Sequence, residues 1–317
     1  MKISFKHQSS FLFVFGLLVF ISVAVLPVKA GVLVIAYMDE SKVVLVDSKT
    51  YKTIATLDSG KNPHEVRISP DKRRAYVAAG KTITVVDLKN RKIKDNFDLG
   101  EYSAHDIRVS RDNRRLWLAC GSNQAVLELD AETGKVLHTY KTNQKGSWFV
   151  EITPDERKLY TPNLEGKSVS IINRATSEVK VIPFETPVYG IDITPDGKQV
   201  WVSGGDMGVI DTATDEVIAR VKTSEAVTGR FRLTSDGKRA VIALAKKLVV
   251  YDVKTHRLIS ETELVARPKI MTLSADNRRA FLTNPNDNSV SVVDIVGGKQ
   301  LTTFQTGKKP DGIGWAD

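Results

Sequence analysis

The sequence holds one cysteine, Cys120, among 317 residues. That single thiol excludes an internal disulfide framework, a multi-cysteine zinc or iron–sulfur site, and a Cys-x-x-Cys-His haem attachment. Histidine is scarce as well, with five in all. There is no Gly-x-Ser-x-Gly nucleophile elbow, no Ser/His/Asp order that stands out, and no glycine loop of the kind that cradles phosphate. Beyond the N-terminus, no stretch keeps helical periodicity over three turns, which argues against an α-helical architecture. Hydrophobic residues make up 42% of the chain and charged residues 26%. Those proportions fit neither a disordered chain nor a polytopic membrane protein.

The one long apolar run lies at the start. Lys2 and Lys6 precede a run without charge over residues 11–26, and Pro27 and the small residue Ala30 follow it. That order is expected of a secretory signal peptide over residues 1–30, leaving a single domain over 31–317. The run is shorter than the ~20 residues of a membrane span. An uncleaved N-terminal anchor is the alternative reading. Removing residues 1–30 takes three lysines and no acid from a net charge of +9, which leaves +6. The remaining cations are spread through turns such as Asp71-Lys72-Arg73-Arg74 and Asp276-Asn277-Arg278-Arg279, with acids beside them. Solvated turn tips account for such a pattern, so no nucleic-acid partner is expected; a weak attraction to anionic envelope polymers is the functional alternative.

What the chain does contain is a repeat. A Ser/Thr-x-Asp turn recurs with its aspartate at Asp71, Asp112, Asp155, Asp196, Asp236 and Asp276, spaced by 40 to 43 residues. A second marker, an apolar run closed by a polar residue, follows in fixed phase at Asp47, Asp87, Asp130, Asn173, Asp211, Asp252 and Asp294. Each unit holds four short runs; in the second unit these are residues 65–68, 75–78, 82–86 and 92–97. Short runs rich in Val, Ile and aromatics, bounded by turn chemistry, read as strands. Four strands per ~40-residue unit is a propeller blade. The expected fold is therefore all-β: a seven-bladed β-propeller of four-stranded blades. The first unit lacks its first strand, and Asp311–Ala316 resembles a first strand with nothing after it, so the N- and C-terminal strands are expected to share one blade and close the ring. Tyr76, Trp117, Tyr160, Trp201 and Phe281 occupy one phase of the second strands and are expected to pack between blades.

The units resemble the YVTN-type β-propeller repeat. The resemblance rests on Thr194-Pro195-Asp196-Gly197-Lys198, Phe281-Leu282-Thr283-Asn284, Ser289-Val290-Ser291-Val292-Val293-Asp294 and Pro310-Asp311-Gly312-Ile313. It spans residues 31–317. No unit carries the full Tyr-Val-Thr-Asn string, and no strand ends in Trp-Asp, which disfavours the WD40 class. The family is bacterial and exported, and is related to the cytochrome cd1 and nitrous-oxide-reductase-like propellers. The resemblance implies roles as varied as adhesion, service to periplasmic redox systems, lactone hydrolysis and haem binding, and a fold alone does not choose among them.

In such a ring the first strand of each blade lines the channel. Counting back five residues from each Ser/Thr of the turn marker gives the channel mouth: His64, His105, Trp148, Tyr189, Gly229 and Lys269, with Asp311 from the last strand. Glu65, Asp106, Phe149 and Arg230 lie next to them. Imidazole is a metal or haem ligand and titrates near neutral pH; the aromatics suit a planar ligand, and the cations a carboxylate or phosphate. The competing reading has His64 and His105 bonding backbone carbonyls between blades. Cys120 ends a strand in the blade of His105, so it either faces the same mouth or is a small buried residue. His138 and His256, beside turns, are expected to be solvated.

The expected function is a non-catalytic binding or interaction scaffold, periplasmic or extracellular, monomeric, with no transmembrane domain once the leader is removed. A protein or an envelope polymer is the expected partner, recognised through His64, His105, Trp148, Tyr189, Lys269 and Asp311. No cofactor is expected. The first alternative is a haem- or metal-binding propeller serving a periplasmic redox or cofactor pathway, with His64 and His105 as ligands. The second is a lactonase-like hydrolase, which needs a convergent acidic cluster around a divalent ion.

Overall fold

The computed structural model describes Met1, residues 31–227 and residues 230–317. The expected signal peptide and the mouth position Gly229 lie outside the described residues. The strands form seven four-stranded antiparallel sheets, and the only helices among the described residues are two single 3-10 turns, Met38–Glu40 and Gly121–Asn123. This is an all-β seven-bladed propeller. Blade 1 is built from Val32–Tyr37, Lys42–Asp47 and Thr53–Asp58, with Pro310–Ala316 as its inner strand. The inner strands of blades 2 to 7 are Pro63–Ile68, Asp106–Val109, Glu151–Ile152, Ile191–Ile193, Phe231–Leu233 and Met271–Leu273.

Closure occurs as the sequence implies. Val32 pairs with Ala316, Leu33 with Trp315, Val34 with Gly314 and Ile35 with Ile313, and a bulge then brings Tyr37 opposite Pro310. Blade 1 therefore joins the two ends of the described ring, and its inner strand packs beside those of blades 2 and 7. A closed ring leaves no first or last blade with an open face.

The repeat markers fold into the same local structures each time. The turn hydroxyl donates to the aspartate two residues on, at 2.6 Å for Ser69–Asp71 and Ser110–Asp112 and 2.7 Å for Thr194–Asp196. The same hydroxyl accepts a backbone N–H five residues on, as Arg74 N–H to Ser69 at 2.9 Å. The residue after the aspartate is left-handed: Lys72, Asn113, Glu156, Gly197, Gly237 and Asn277 all have positive φ. Glycine fills two of these positions because it takes that conformation without Cβ strain. The second marker makes an Asx turn. Asp47 accepts the N–H groups of Lys49 and Thr50, and Asp130 those of Glu132 and Thr133.

Second and third strands are buried almost throughout, whereas fourth strands are largely exposed at the rim. The five aromatics of the second strands are fully buried, and each packs on the next blade. Tyr76 sits among Leu116, Leu118, Leu127 and Leu129 of blade 3 and donates its hydroxyl to the Ala131 carbonyl at 3.3 Å. Trp117 packs on Val150, Leu159 and Ile172 of blade 4. Phe281 packs on Leu33, Ile35 and Trp315 of blade 1. Val241, which breaks the aromatic series, takes the same place against Met271, Ala280 and Leu282 of blade 7. Burial of each such side chain stabilises the ring by about 2–3 kcal/mol.

Candidate functional site at the channel mouth

The inner strands set the site by their alternation. Successive side chains of a strand point to opposite faces. Val66, Ile107, Val150, Ile191 and Phe231 turn into the cores between blades. The intervening residues are left to face the channel, and just above them lie the mouth residues.

The mouth residues form one connected set. The His64 and His105 rings stack with centroids 4.8 Å apart and planes 24° from parallel. His105 meets Trp148 edge-on at 5.6 Å and Phe149 at 5.0 Å. Phe149 in turn meets Tyr189 edge-on at 4.9 Å. On the other side His64 Nδ1 lies 3.0 Å from Asp311 Oδ2, and Lys269 Nζ lies 2.9 Å from Asp311 Oδ1. Six side chains from six blades are thus joined, with Phe149 as the link to Tyr189. An open groove of about 440 Å³ leads down onto His64, His105 and Trp148 between the Lys61–Asn62 and Ser103–Ala104 loops.

Asp311 is the hinge of the charged side. Burial would raise its carboxyl, but the hydrogen bond from His64 and the charge of Lys269 outweigh burial and hold it below the usual range. His105 differs: burial first, then the neighbouring His64, pushes its imidazole from 6.5 down to about 4. A depressed folded-state value means that the unfolded chain binds the proton more readily. Stability from His105 is therefore complete above about 6.5 and is lost as pH falls toward about 4. His105→Gln is expected to flatten the pH dependence of the urea midpoint across that window, where His64, Asp106, Asp311 and Arg230 are the titratable and charged groups that face it. An unchanged slope would show that His105 stays exposed enough to titrate normally.

Below the mouth lies a charged layer that counting back from the turn marker does not reach. Stepping two residues along each inner strand from Glu65, Asp106, Phe149, Gly190 and Arg230 gives Arg67, Arg108, Glu151, Asp192 and Arg232. The signal was available as a charged residue at one phase of five otherwise apolar strands. Asp106 accepts from Arg67 at 3.2 Å, from Arg108 at 3.0 Å, and from the N–H groups of Ile107 and Val150. Arg108 grips Glu151 with Nε at 2.6 Å and a second bond from its terminal nitrogen. Burial would raise the Asp106 carboxyl, but the guanidinium groups of Arg108, Arg67 and Arg230 overrule it and hold it far below the carboxylate range. Burial does raise Glu151, which Arg108 offsets only in part. It also pushes Arg232 down to about 9, with Arg67 and Arg230 adding to the effect.

Two open readings close and one expectation needs correction. Of its two readings Cys120 takes the buried one and does not face the mouth. It is fully buried in the core between blades 2 and 3, beside Ile107 and Leu127, and burial pushes its thiol up to about 12. His64 does not bond a backbone carbonyl but pairs with Asp311, and His105 Nδ1 finds no hydrogen-bond partner among the described residues. His256 is half-buried and meets the Trp201 ring edge-on at 5.4 Å, whereas His138 is exposed as expected.

The two histidines are not placed to share one metal ion. Their stacked rings hold the in-plane lone pairs in near-parallel planes with centroids 4.8 Å apart, so the lone pairs do not meet at a common point. Asp106 and Glu151 are engaged by arginines and Asp311 by His64 and Lys269, so no acidic cluster converges. Among the described residues no three His, Cys, Asp or Glu side chains are grouped to hold a metal ion.

No protein-family model matches the chain. The uncharacterized protein YncE of Salmonella typhimurium strain LT2 is 22% identical over 167 residues, covering 50% of this chain and 47% of that protein. The chain thus spans about half the length of the curated relatives it matches. Among solved structures, hydrazine synthase of Kuenenia stuttgartiensis aligns with a TM-score of 0.72 and 20% identity over 81% of this chain and 90% of that one. The β-propeller domain of Cps50 (Swd1) from Myceliophteria thermophila aligns with a TM-score of 0.73 and 16% identity over 82% and 90%. At these identities the likeness extends to the fold alone.

Proposed function

We propose that the chain is an exported YVTN-type propeller of the bacterial envelope that acts as a non-catalytic binding scaffold. Its working face is the channel mouth, and recognition runs through His64, His105, Trp148, Tyr189, Lys269 and Asp311. The observation that carries this reading is the continuity of those six side chains. They come from six blades, yet stacked rings and a His–Asp–Lys chain join them at one opening. The aromatic half offers flat faces for stacking, and the charged half offers donors beside a fixed carboxylate. Neither half includes an activated nucleophile, which favours recognition over hydrolysis. The leader-like pattern of residues 1–30 supports export.

The test compares the purified protein with a Trp148→Ala/Lys269→Ala variant, each immobilised and exposed to an envelope extract. Bound small molecules and proteins are identified by mass spectrometry. A species retained by the parent and lost by the variant at unchanged folding is the expected result. Retention of the same species by both would overturn the assignment of the mouth.

A further inference from the structure

The open groove that leads down onto His64, His105 and Trp148 carries charge of one sign. Lys61 and Lys81 line it, and no acidic side chain does. Both lysines are exposed, and neither forms an ion pair among the described residues. The carboxylate of the mouth, Asp311, is taken by His64 and Lys269. Small residues keep the space open. Ala79, Gly80 and Ala104 stand in its wall, and Gly80 takes the left-handed conformation (φ 60°) as the chain turns into Lys81.

Trp148 gives the groove its flat surface. The other tryptophans are out of reach: Trp117 and Trp201 are fully buried and Trp315 is 6% exposed. Trp148 is half-buried and lines the groove. Its indole rests against bare backbone, since a Cβ at Gly121 would stand 2.5 Å from two of its ring carbons. His105 meets it edge-on. With those two supports the ring is held before anything binds, so stacking on its open part costs little ordering. Cations are repelled by the two lysines, and a compact anion such as phosphate leaves the indole unused. An aromatic ring that carries a carboxylate uses both.

The geometry points to a binding site for a small aromatic carboxylate, its ring on Trp148 and its carboxylate met by Lys61 and Lys81. The lysine stems are long and flexible, which lets their ammonium groups close on an anion in the groove. A volume of about 440 Å³ suits one or two fused rings. The inference rests on the mouth being the binding face and names the ligand class it admits.

Benzoate, phthalate, indole carboxylate and naphthoate are titrated into the purified protein at up to about 10 mM ligand and about 20 mM salt, by calorimetry and by tryptophan emission. At least one is expected to bind and to change the emission, for which Trp148 is the reachable indole. Cyclohexanecarboxylate keeps the charge without the flat ring, and naphthamide keeps the ring without the charge. Each is expected to bind about tenfold more weakly than the best aromatic carboxylate. Lys61→Gln/Lys81→Gln is expected to weaken binding about tenfold, and Trp148→Ala at least as much. Both lysines are exposed, so the first variant is read on a protein folded as the parent is. Failure of all four carboxylates to bind overturns the site, as does cyclohexanecarboxylate binding as tightly as the best of them. Unchanged affinity in Lys61→Gln/Lys81→Gln overturns it equally. In each case the extract experiment with Trp148→Ala/Lys269→Ala judges the mouth separately. Aromatic-carboxylate binding that the lysine variant weakens supports the site whatever the extract contains.

Discussion

Gly312→Ala is expected to lower stability by about 3 kcal/mol, at the upper end for overpacking. A Cβ at Gly312 would stand 2.2 Å from the His64 carbonyl oxygen and 2.7 Å from both Glu65 Cα and Val66 N. All three are backbone atoms of the inner strand of blade 2, so no side chain can swing aside. The strand carrying Gly312 also pairs with Val32–Tyr37 to close the ring, so it cannot withdraw without loosening that pairing. Its neighbour Asp311 bonds His64 across the same seam, which couples the injury to the mouth. Urea unfolding should show a lower midpoint with an unchanged slope, and mouth-dependent binding should weaken in parallel. A loss below about 1 kcal/mol would mean that blades 1 and 2 are more loosely packed there than described.

Arg108→Met is expected to cost about 4 kcal/mol, as for one partner removed from a buried ion cluster. Asp106 would keep Arg67 and two backbone N–H groups, so it stays ionised. Glu151 would lose Arg108, the only side chain that bonds it among the described residues. With its carboxyl already raised by burial, it would take up a proton on folding. The folded variant then binds more protons than the unfolded chain, so its stability falls as pH rises above the ordinary glutamate value. The defect should be larger at pH 8 than at pH 5. Glu151→Gln in the Arg108→Met background should recover part of the loss and remove that pH dependence. A double-mutant cycle by urea unfolding measures the coupling. Additive losses would show that the two groups do not depend on each other.

Much of the architecture can be read from residues whose meaning is local. The Ser/Thr-x-Asp turns and the Asx turns work through bonds within five residues, so they repeat visibly and give the blade period. Asp311–Ala316 reads as a first strand because it keeps the phase of the other six. The mouth follows from the same phase, which is why His64, His105, Trp148, Tyr189, Lys269 and Asp311 come together as expected. What the sequence hides is pairing across blades. Nothing local says that Arg108 reaches Glu151, 43 residues on, or that Arg230 lies on Phe149. Those contacts depend on where neighbouring strands sit around the axis. Cys120 was ambiguous for a related reason: the end of a strand is near the mouth in register, yet the side chain of this one turns into the core between blades.

The seam at blade 1 also makes the charged half of the mouth depend on strands far apart in the chain. Asp311, the carboxylate that His64 and Lys269 share, lies on the strand Pro310–Ala316, 247 residues further along the chain than His64. A chain missing that strand would hold six four-stranded blades and a seventh of three strands, with His64 and Lys269 both lacking their common anion. Fragments cut short of that strand would carry most of the mass and the aromatic contacts, but not the charged half of the mouth.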